Sequence, residues 1–315
     1  MPPKVSVNLC CYNSEKYLEK TLESIFNQTF TDWELVIVND GSSDSTEEII
    51  KRHTHDGKRI IYYSQSNAGL GNARNKAIEL SSGEFIALID HDDLWMPEKL
   101  EAQLKLFKEN PNLGLVYCDG DLIDACGIPK VRHSIEYPPA QGYIFDRLVV
   151  CSFIPPVSVM ISRKVFDDVG SFPSFYTAEE YDLFLKIAYQ YPVGYVEKPL
   201  FKYRMHEENL TRIGNREHFF REHIEIRKYW INRITSGDQR RIRVLRKLAA
   251  SVYGGYGTWL LEQGRMEEAR HNFVCSSRLN PLQLRYIYYG LTWFPPFVAN
   301  QILIGLRTVK NLFPV

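Results

Sequence analysis

The chain has 315 residues with 44% hydrophobic and 13% aromatic content, enough to bury the core of one large or two ordinary domains. Its 38 Lys and Arg balance 38 Asp and Glu, so the formal charge is zero and the basic surplus of a nucleic-acid binder is missing. The six cysteines include a vicinal pair, Cys10-Cys11, but no Cys-x-x-Cys spacing, which argues against a zinc site or a disulfide framework and for a reducing compartment.

The chain goes straight into the β-rich run Val5 to Cys11, so no signal peptide is expected. Ser14 opens a helical pattern with Leu18, Leu22, Ile25 and Phe26 on one face. Trp33 to Val38 reads as a second buried strand ending at Asn39-Asp40-Gly41-Ser42, and Asp44 with Glu47 has the spacing of a capping box. Ile60 to Ser64 is a third strand, and Asn67-Ala68-Gly69-Leu70-Gly71 leads into a helix carrying Arg74. Phe85 to Ile89 is the fourth. This alternation predicts an α/β fold with a mostly parallel sheet covered on both faces. Ligands of such sheets bind beyond the carboxyl ends of the strands, where Tyr12, Asp40, Asp90 and Asp92 all fall.

Asp90-His91-Asp92-Asp93 follows the fourth strand directly. Strand alternation would send Asp90 and Asp92 to one face and His91 and Asp93 to the other. Two carboxylates on one face repel unless a cation lies between them, and a hard divalent ion with oxygen ligands is the natural candidate. A solvated acidic loop before the helix at Pro97 is the plain alternative. A dinucleotide-binding dehydrogenase fits poorly, because no glycine precedes Gly41 and Gly69-Leu70-Gly71 is a partial fingerprint after the third strand. A nucleotidyltransferase would also want an early glycine-rich phosphate loop.

Six stretches in order carry a resemblance. Cys11-Tyr12-Asn13, Val38-Asn39-Asp40-Gly41-Ser42, Asn67-Ala68-Gly69 with Ala73-Arg74-Asn75, and Ile89 to Asp93 are four of them. The fifth, Thr177 to Leu183, precedes Tyr203-Arg204-Met205-His206 with Asn209 and Thr211. Over residues 4 to 215 the chain resembles the family 2 inverting glycosyltransferases. The resemblance implies the GT-A fold, a nucleotide-sugar donor (a UDP-sugar is favoured) and a divalent cation, Mn or Mg. It also implies residue roles. Tyr12 would lie against the base, Asp40 would bond the base or ribose, and Arg74 would help to hold the nucleoside. Asp90 would face the ribose or metal, Asp92 would ligate the metal, and His206 would contact a phosphate. Each has a plainer reading: Tyr12 as a core aromatic, Asp40 as a turn residue, Arg74 as a solvated helix residue and His206 as a surface loop residue.

Glu180 holds the position of the family's catalytic base, where an aspartate is usual, and Glu179 or Asp182 are the rival carboxylates. Thr177-x-x-Glu180 is also a capping-box spacing. The processive-synthase pattern Gln-x-x-Arg-Trp is absent, so single transfers are expected. The acceptor would be a glycan or a lipid-linked molecule in cell-surface or extracellular polysaccharide or glycolipid assembly. A non-catalytic assembly protein that keeps the fold is the rival from another class.

The expected domains are 1–230, catalytic, and 231–315, helical. The second contains a basic helix over Ser236 to Lys247 and a segment near 250–283 resembling one tetratricopeptide repeat, with Tyr253, Gly257, Ala269, Phe273 and Pro281 at its small, aromatic and proline positions. The tail Leu291 to Leu306 is apolar but broken by Pro295-Pro296 and Asn300-Gln301. It falls short of the about 20 apolar residues a membrane span needs, so it would lie in the interface or cap the helices. The expected location is cytoplasmic, at or near the inner face of the membrane.

Overall fold

The computed structural model describes residues 2–54, 59–209, 215–234, 237–281 and 292. The chain divides into two compact units, Met1–Ile213 and Gly214–Val315.

The first unit begins as three strand-helix repeats: β1 (Val5–Cys11), α1 (Leu18–Phe26), β2 (Trp33–Asn39), α2 (Thr46–His53), β3 (Ile60–Ser64) and α3 (Leu70–Leu80). β4 (Phe85–Asp90), β5 (Leu94–Trp95), α4 (Lys99–Glu109), β6 (Leu115–Asp124) and β7 (Pro129–Arg132) follow. The short helices α5 (His133–Glu136) and α6 (Phe145–Leu148), then β8 (Met160–Ser162), α7 (Val165–Val169), α8 (Glu179–Gln190) and β9 (Val193–Met205), complete it. The sheet order is β3-β2-β1-β4-β8-β6-β9-β5, with β7 paired to β6. β1 pairs in parallel with β2 and β4, and β2 with β3, so the first four strands end together on one edge. Beyond β4 the sense is mixed: β8 is antiparallel to β4 and β6, and β9 is parallel to β6 but antiparallel to β5. The sheet is therefore uniformly parallel in its first half and mixed in its second, where the short strands β5 and β8 run against their neighbours.

The early strands are Val-, Leu- and Ile-rich runs buried on both faces, as a helix-covered sheet demands. α1 buries Leu18, Thr21, Leu22 and Ile25, the single stripe expected from its sequence. It starts at Leu18 rather than Ser14, which instead accepts the backbone N–H bonds of a preceding turn. α2 likewise starts at Thr46. Asp44 bonds the Thr46 backbone and hydroxyl from outside the helix, so no capping box forms there.

The second unit contains α9 (Arg216–Arg233), α10 (Gln239–Glu262) and α11 (Met266–Leu279). The boundary expected at 230 falls inside α9. That helix belongs to the second unit because Ile224 is buried, and Phe220 packs, in one core with Tyr253, Tyr256, Leu260, Ala269 and Phe273. α10 is capped by Asp238, whose carboxylate accepts from the Arg241 N–H. Its basic run buries Ile242 and Leu245 and exposes Arg240, Arg243, Arg246 and Lys247, a solvated face. Thr211 and, apart from Thr292, the apolar tail lie outside the described residues. No helix among the described residues is long and apolar enough to cross a membrane.

Candidate active site

The strand ends of the first unit surround a cavity of about 540 Å³. β1 contributes Cys10 and Cys11 and then Tyr12 and Asn13; β2 leads to Asp40; β4 supplies Asp90 and then His91 and Asp92. Arg74 enters from α3, Glu180 from the first turn of α8, and His206 and Asn209 from the segment after β9. Tyr12, Asp40, Arg74, Asp90, Asp92, Glu180 and His206 all line this one cavity, and the rival carboxylates Glu179 and Asp182 do not. Tyr12 is half exposed rather than a core aromatic, and the left-handed Asn13 (φ 47°) that follows it turns the chain across the cavity mouth. An asparagine accepts that conformation where most side chains would be strained.

Asp40 is buried and already engaged. One oxygen accepts from Gln65 Nε2 at 2.7 Å and the Ala68 N–H at 2.9 Å, and the other accepts from the Gly69 N–H at 2.9 Å. It is thus both a turn residue and a cavity residue, since it holds the loop before α3 against the end of β2. Gly41 behind it needs φ +77°, and a Cβ there would meet the Asn67 nitrogen at 2.7 Å.

Arg74 is the electrostatic centre. It is buried on a helix face otherwise made of Gly71, Ala73 and Ala77. Nη2 donates to Asp90 Oδ1 at 2.8 Å, while Nη1 donates to Glu179 Oε1 at 2.9 Å and to Glu180 Oε2 at 3.4 Å. Its ring-facing side lies over Phe172 at 5.5 Å. One guanidinium thus gathers the end of β4 and the start of α8, and the charge of three carboxylates outweighs burial to keep it protonated. Sequence reasoning left Arg74 on a solvated face or against the nucleoside. The available signal was the run of small residues Gly71, Ala73 and Ala77 around it, which lets that face of α3 pack closely.

The carboxylates at α8 differ in environment. Glu179 is buried, and burial together with the neighbouring Glu180 charge pushes its carboxyl well up against the opposing pull of Arg74. Glu180 reaches the cavity. Asp182 is ion-paired to Lys186 at 2.6 Å and is not among the cavity residues. α8 starts at Glu179 with Ala178 as its N-cap residue and no side-chain cap bond, so the Thr177–Glu180 spacing is not a capping box.

Past β4 the alternation expected for Asp90 to Asp93 breaks down. The strand ends at Asp90 and a turn follows, so His91 lines the cavity beside Asp90 and Asp92, and only Asp93 points away. Thr21 of α1 fixes that turn by donating to the His91 and Asp93 carbonyls at 2.8 and 2.9 Å. Arg204 of β9 fixes it from the other side, with its N–H on Asp93 Oδ1 and its Nε on the Asp92 carbonyl, both at 2.8 Å. Asp92 Oδ2 lies 2.8 Å from His206 Nε2 and 3.5 Å from Asn209 Nδ2. Burial would push the Asp92 carboxyl up, but the His206 bond and the charges of His91 and His206 outweigh it and hold it below the usual carboxylate range.

A divalent cation fits part of this set. Two ligand atoms bound at right angles about 2.1 Å from one ion are about 3 Å apart, close to the Asp92–His206 spacing. Among the described residues the second nitrogen of His206 is buried without a hydrogen-bond partner, and the ring packs against Tyr17 with centroids 5.1 Å apart. Asp90 is instead held by Arg74. Among the described residues, no three His, Cys, Asp or Glu side chains converge into a cage. An ion here would complete its shell with ligand oxygens and water.

A parallel half-sheet whose strand ends hold a carboxylate-lined cavity, joined to strands of mixed sense, defines the GT-A class of nucleotide-sugar enzymes. The chain belongs to glycosyl transferase family 2, whose model matches residues 6–170. It is 32% identical over 240 residues to an uncharacterized glycosyltransferase of Methanocaldococcus jannaschii, covering 73% of this chain and 81% of that protein. With the chondroitin synthase of Escherichia coli it shares 30% over 210 residues, 66% of this chain but only 30% of that synthase. Among solved structures it is similar to TarS 1-349 of S. aureus in complex with UDP-GlcNAc, with TM-score 0.69, 20% identity and coverage of 94% and 88% of the two chains. It is also similar to a Pyrobaculum calidifontis mannosyltransferase in complex with GDP-Man and Mn2+, with TM-score 0.60, 17% identity and coverage of 99% and 88%.

Proposed function

We propose that this glycosyltransferase moves a sugar from a nucleotide-diphosphate donor to an acceptor hydroxyl in one step, with inversion at the anomeric carbon. The observation that carries the proposal is the convergence of Tyr12, Asp40, Arg74, Asp90, Asp92, Glu180 and His206 on one cavity. The half-exposed Tyr12 offers an aromatic face to a base, and Asp40 and Asp90 offer carboxylate oxygens to its NH groups and the ribose hydroxyls. Asp92 and His206 would hold a Mn or Mg ion. When bound, that ion supplies positive charge opposite the leaving diphosphate. Glu180 accepts the acceptor's proton as the hydroxyl attacks. Arg74 holds Glu180 and Asp90 on one guanidinium and so sets the span between donor and base, the kind of positioning that yields much of an enzyme's acceleration.

The solved structures in complex with UDP-GlcNAc and GDP-Man support a nucleotide-sugar donor, and the chondroitin synthase relative supports polysaccharide as the acceptor class. A UDP-sugar donor, a glycan or lipid-linked acceptor, single transfers and a place at the inner face of the membrane complete the reading. The test is a panel of nucleotide-sugars with Mn2+, read by thermal stabilisation and then by NMR of the product from each stabilising donor. Inverted product with one donor supports the proposal; retained configuration, or no stabilisation by any donor, overturns it.

A further inference from the structure

Lys99 is fully buried at the start of α4. Its ammonium lies 4.1 Å from the centre of the Trp95 ring and donates to Gln103 Oε1 at 2.8 Å. No carboxylate among the described residues pairs with it. A buried lysine without a counter-ion is costly, and an apolar side chain of that length would serve packing better. What it touches explains its retention.

Trp95 stands three residues after Asp92, on the short strand that pairs with β9. Its indole N–H donates to the Val157 carbonyl at 2.9 Å. Gln103, also fully buried, donates to the Ser158 carbonyl at 2.8 Å and to the Val116 carbonyl at 2.9 Å. The turn Pro156–Ser158 is therefore held twice, once by each partner of the ammonium, and Pro156 lines the cavity. We infer that Lys99 is a positioning residue, whose charged ammonium locks the acidic segment after β4 to the Pro156 turn and so fixes the width of the cavity during transfer. The inference rests on the proposed sugar transfer.

The protonated form performs this role, since it both polarises the Gln103 amide and binds the indole face. Burial draws the amine down to about 8 against the opposing effect of Cys118 of β6, the one titratable group facing it among the described residues, whose own thiol burial pushes up to about 12. The charge is present below that pH and lost above it. Turnover should therefore fall as pH rises through about 8. Folding stability should move the other way, because the unfolded chain keeps the proton to higher pH and the native state is relieved of its buried charge.

The experiment compares kcat, KM for donor and acceptor, and melting temperature of the native protein and Lys99→Met from pH 6.5 to 9.5. Lys99→Met keeps the length of the side chain and leaves only Gln103 Oε1 without its donor, so it should fold, and it should lower kcat about tenfold or more with donor KM nearly unchanged. It should also lack the alkaline limb near pH 8. Trp95→Leu removes both the aromatic face and the bond to Val157, and should reduce kcat similarly. Native kcat with the alkaline limb intact in either variant overturns the assignment. A native protein that neither binds nor turns over any nucleotide-sugar overturns instead the functional reading on which it rests.

Discussion

Glu180 and Glu179 are neighbours on one helix turn and share one arginine, yet only the first reaches the cavity. Glu180→Gln should lower kcat by about 10²–10⁴-fold with donor affinity nearly unchanged, as for a lost general base. Glu179→Gln should keep kcat within about tenfold, because its oxygen serves Arg74 rather than the acceptor. Single-turnover transfer with saturating donor separates them, and the reverse ranking would move the base to Glu179. Asp92→Asn should fold normally and lose metal-dependent nucleotide binding, since it removes one of the two side chains proposed to hold the ion. Calorimetric titration of UDP with Mn2+ and with EDTA checks this; turnover equal to native and insensitive to EDTA would remove Asp92 from that role.

Among the elements, β1 to β4 were legible because each is a continuous apolar run closed by polar turn residues, and the cavity residues sit at those closures. The start of α8 left two readings open because a capping glutamate and a cavity carboxylate are the same side chain at the same spacing, and the structure removes the capping box. The Asp90 to Asp93 geometry was misread because strand alternation was carried three residues past the end of the strand. Arg204 and Asp93 were unreadable as partners: they are 111 residues apart and meet only because β9 lies beside β6 and β5. That parallel β6–β9 pair depends on Gly120, which faces Phe201 so closely that a Cβ would lie 2.5 Å from the ring. Gly120→Val should cost about 1–3 kcal/mol through overpacking. Chemical denaturation measures it, and unchanged stability would mean that β9 shifts without strain.

For the whole molecule, the described residues that line the cavity all fall between Cys10 and Asn209, inside the first compact unit. A chain ending at residue 213 should therefore keep nucleotide affinity within a few-fold of the full chain, as titration calorimetry would show. Loss of binding together with loss of the folded state would mean that the helical unit is needed for the first to fold. The lining of the cavity also has a kinetic consequence. Asp40, Asp90, Asp92, Glu180 and Glu208 outnumber the fixed cations Lys16 and Arg74, so an incoming nucleotide diphosphate meets charge of its own sign. Without divalent cation, association should quicken as monovalent salt rises, since mobile ions screen repulsion as readily as attraction. Stopped-flow fluorescence would show the slope, and a rate that falls with salt would mean that the entry path is steered by cations beyond the cavity wall.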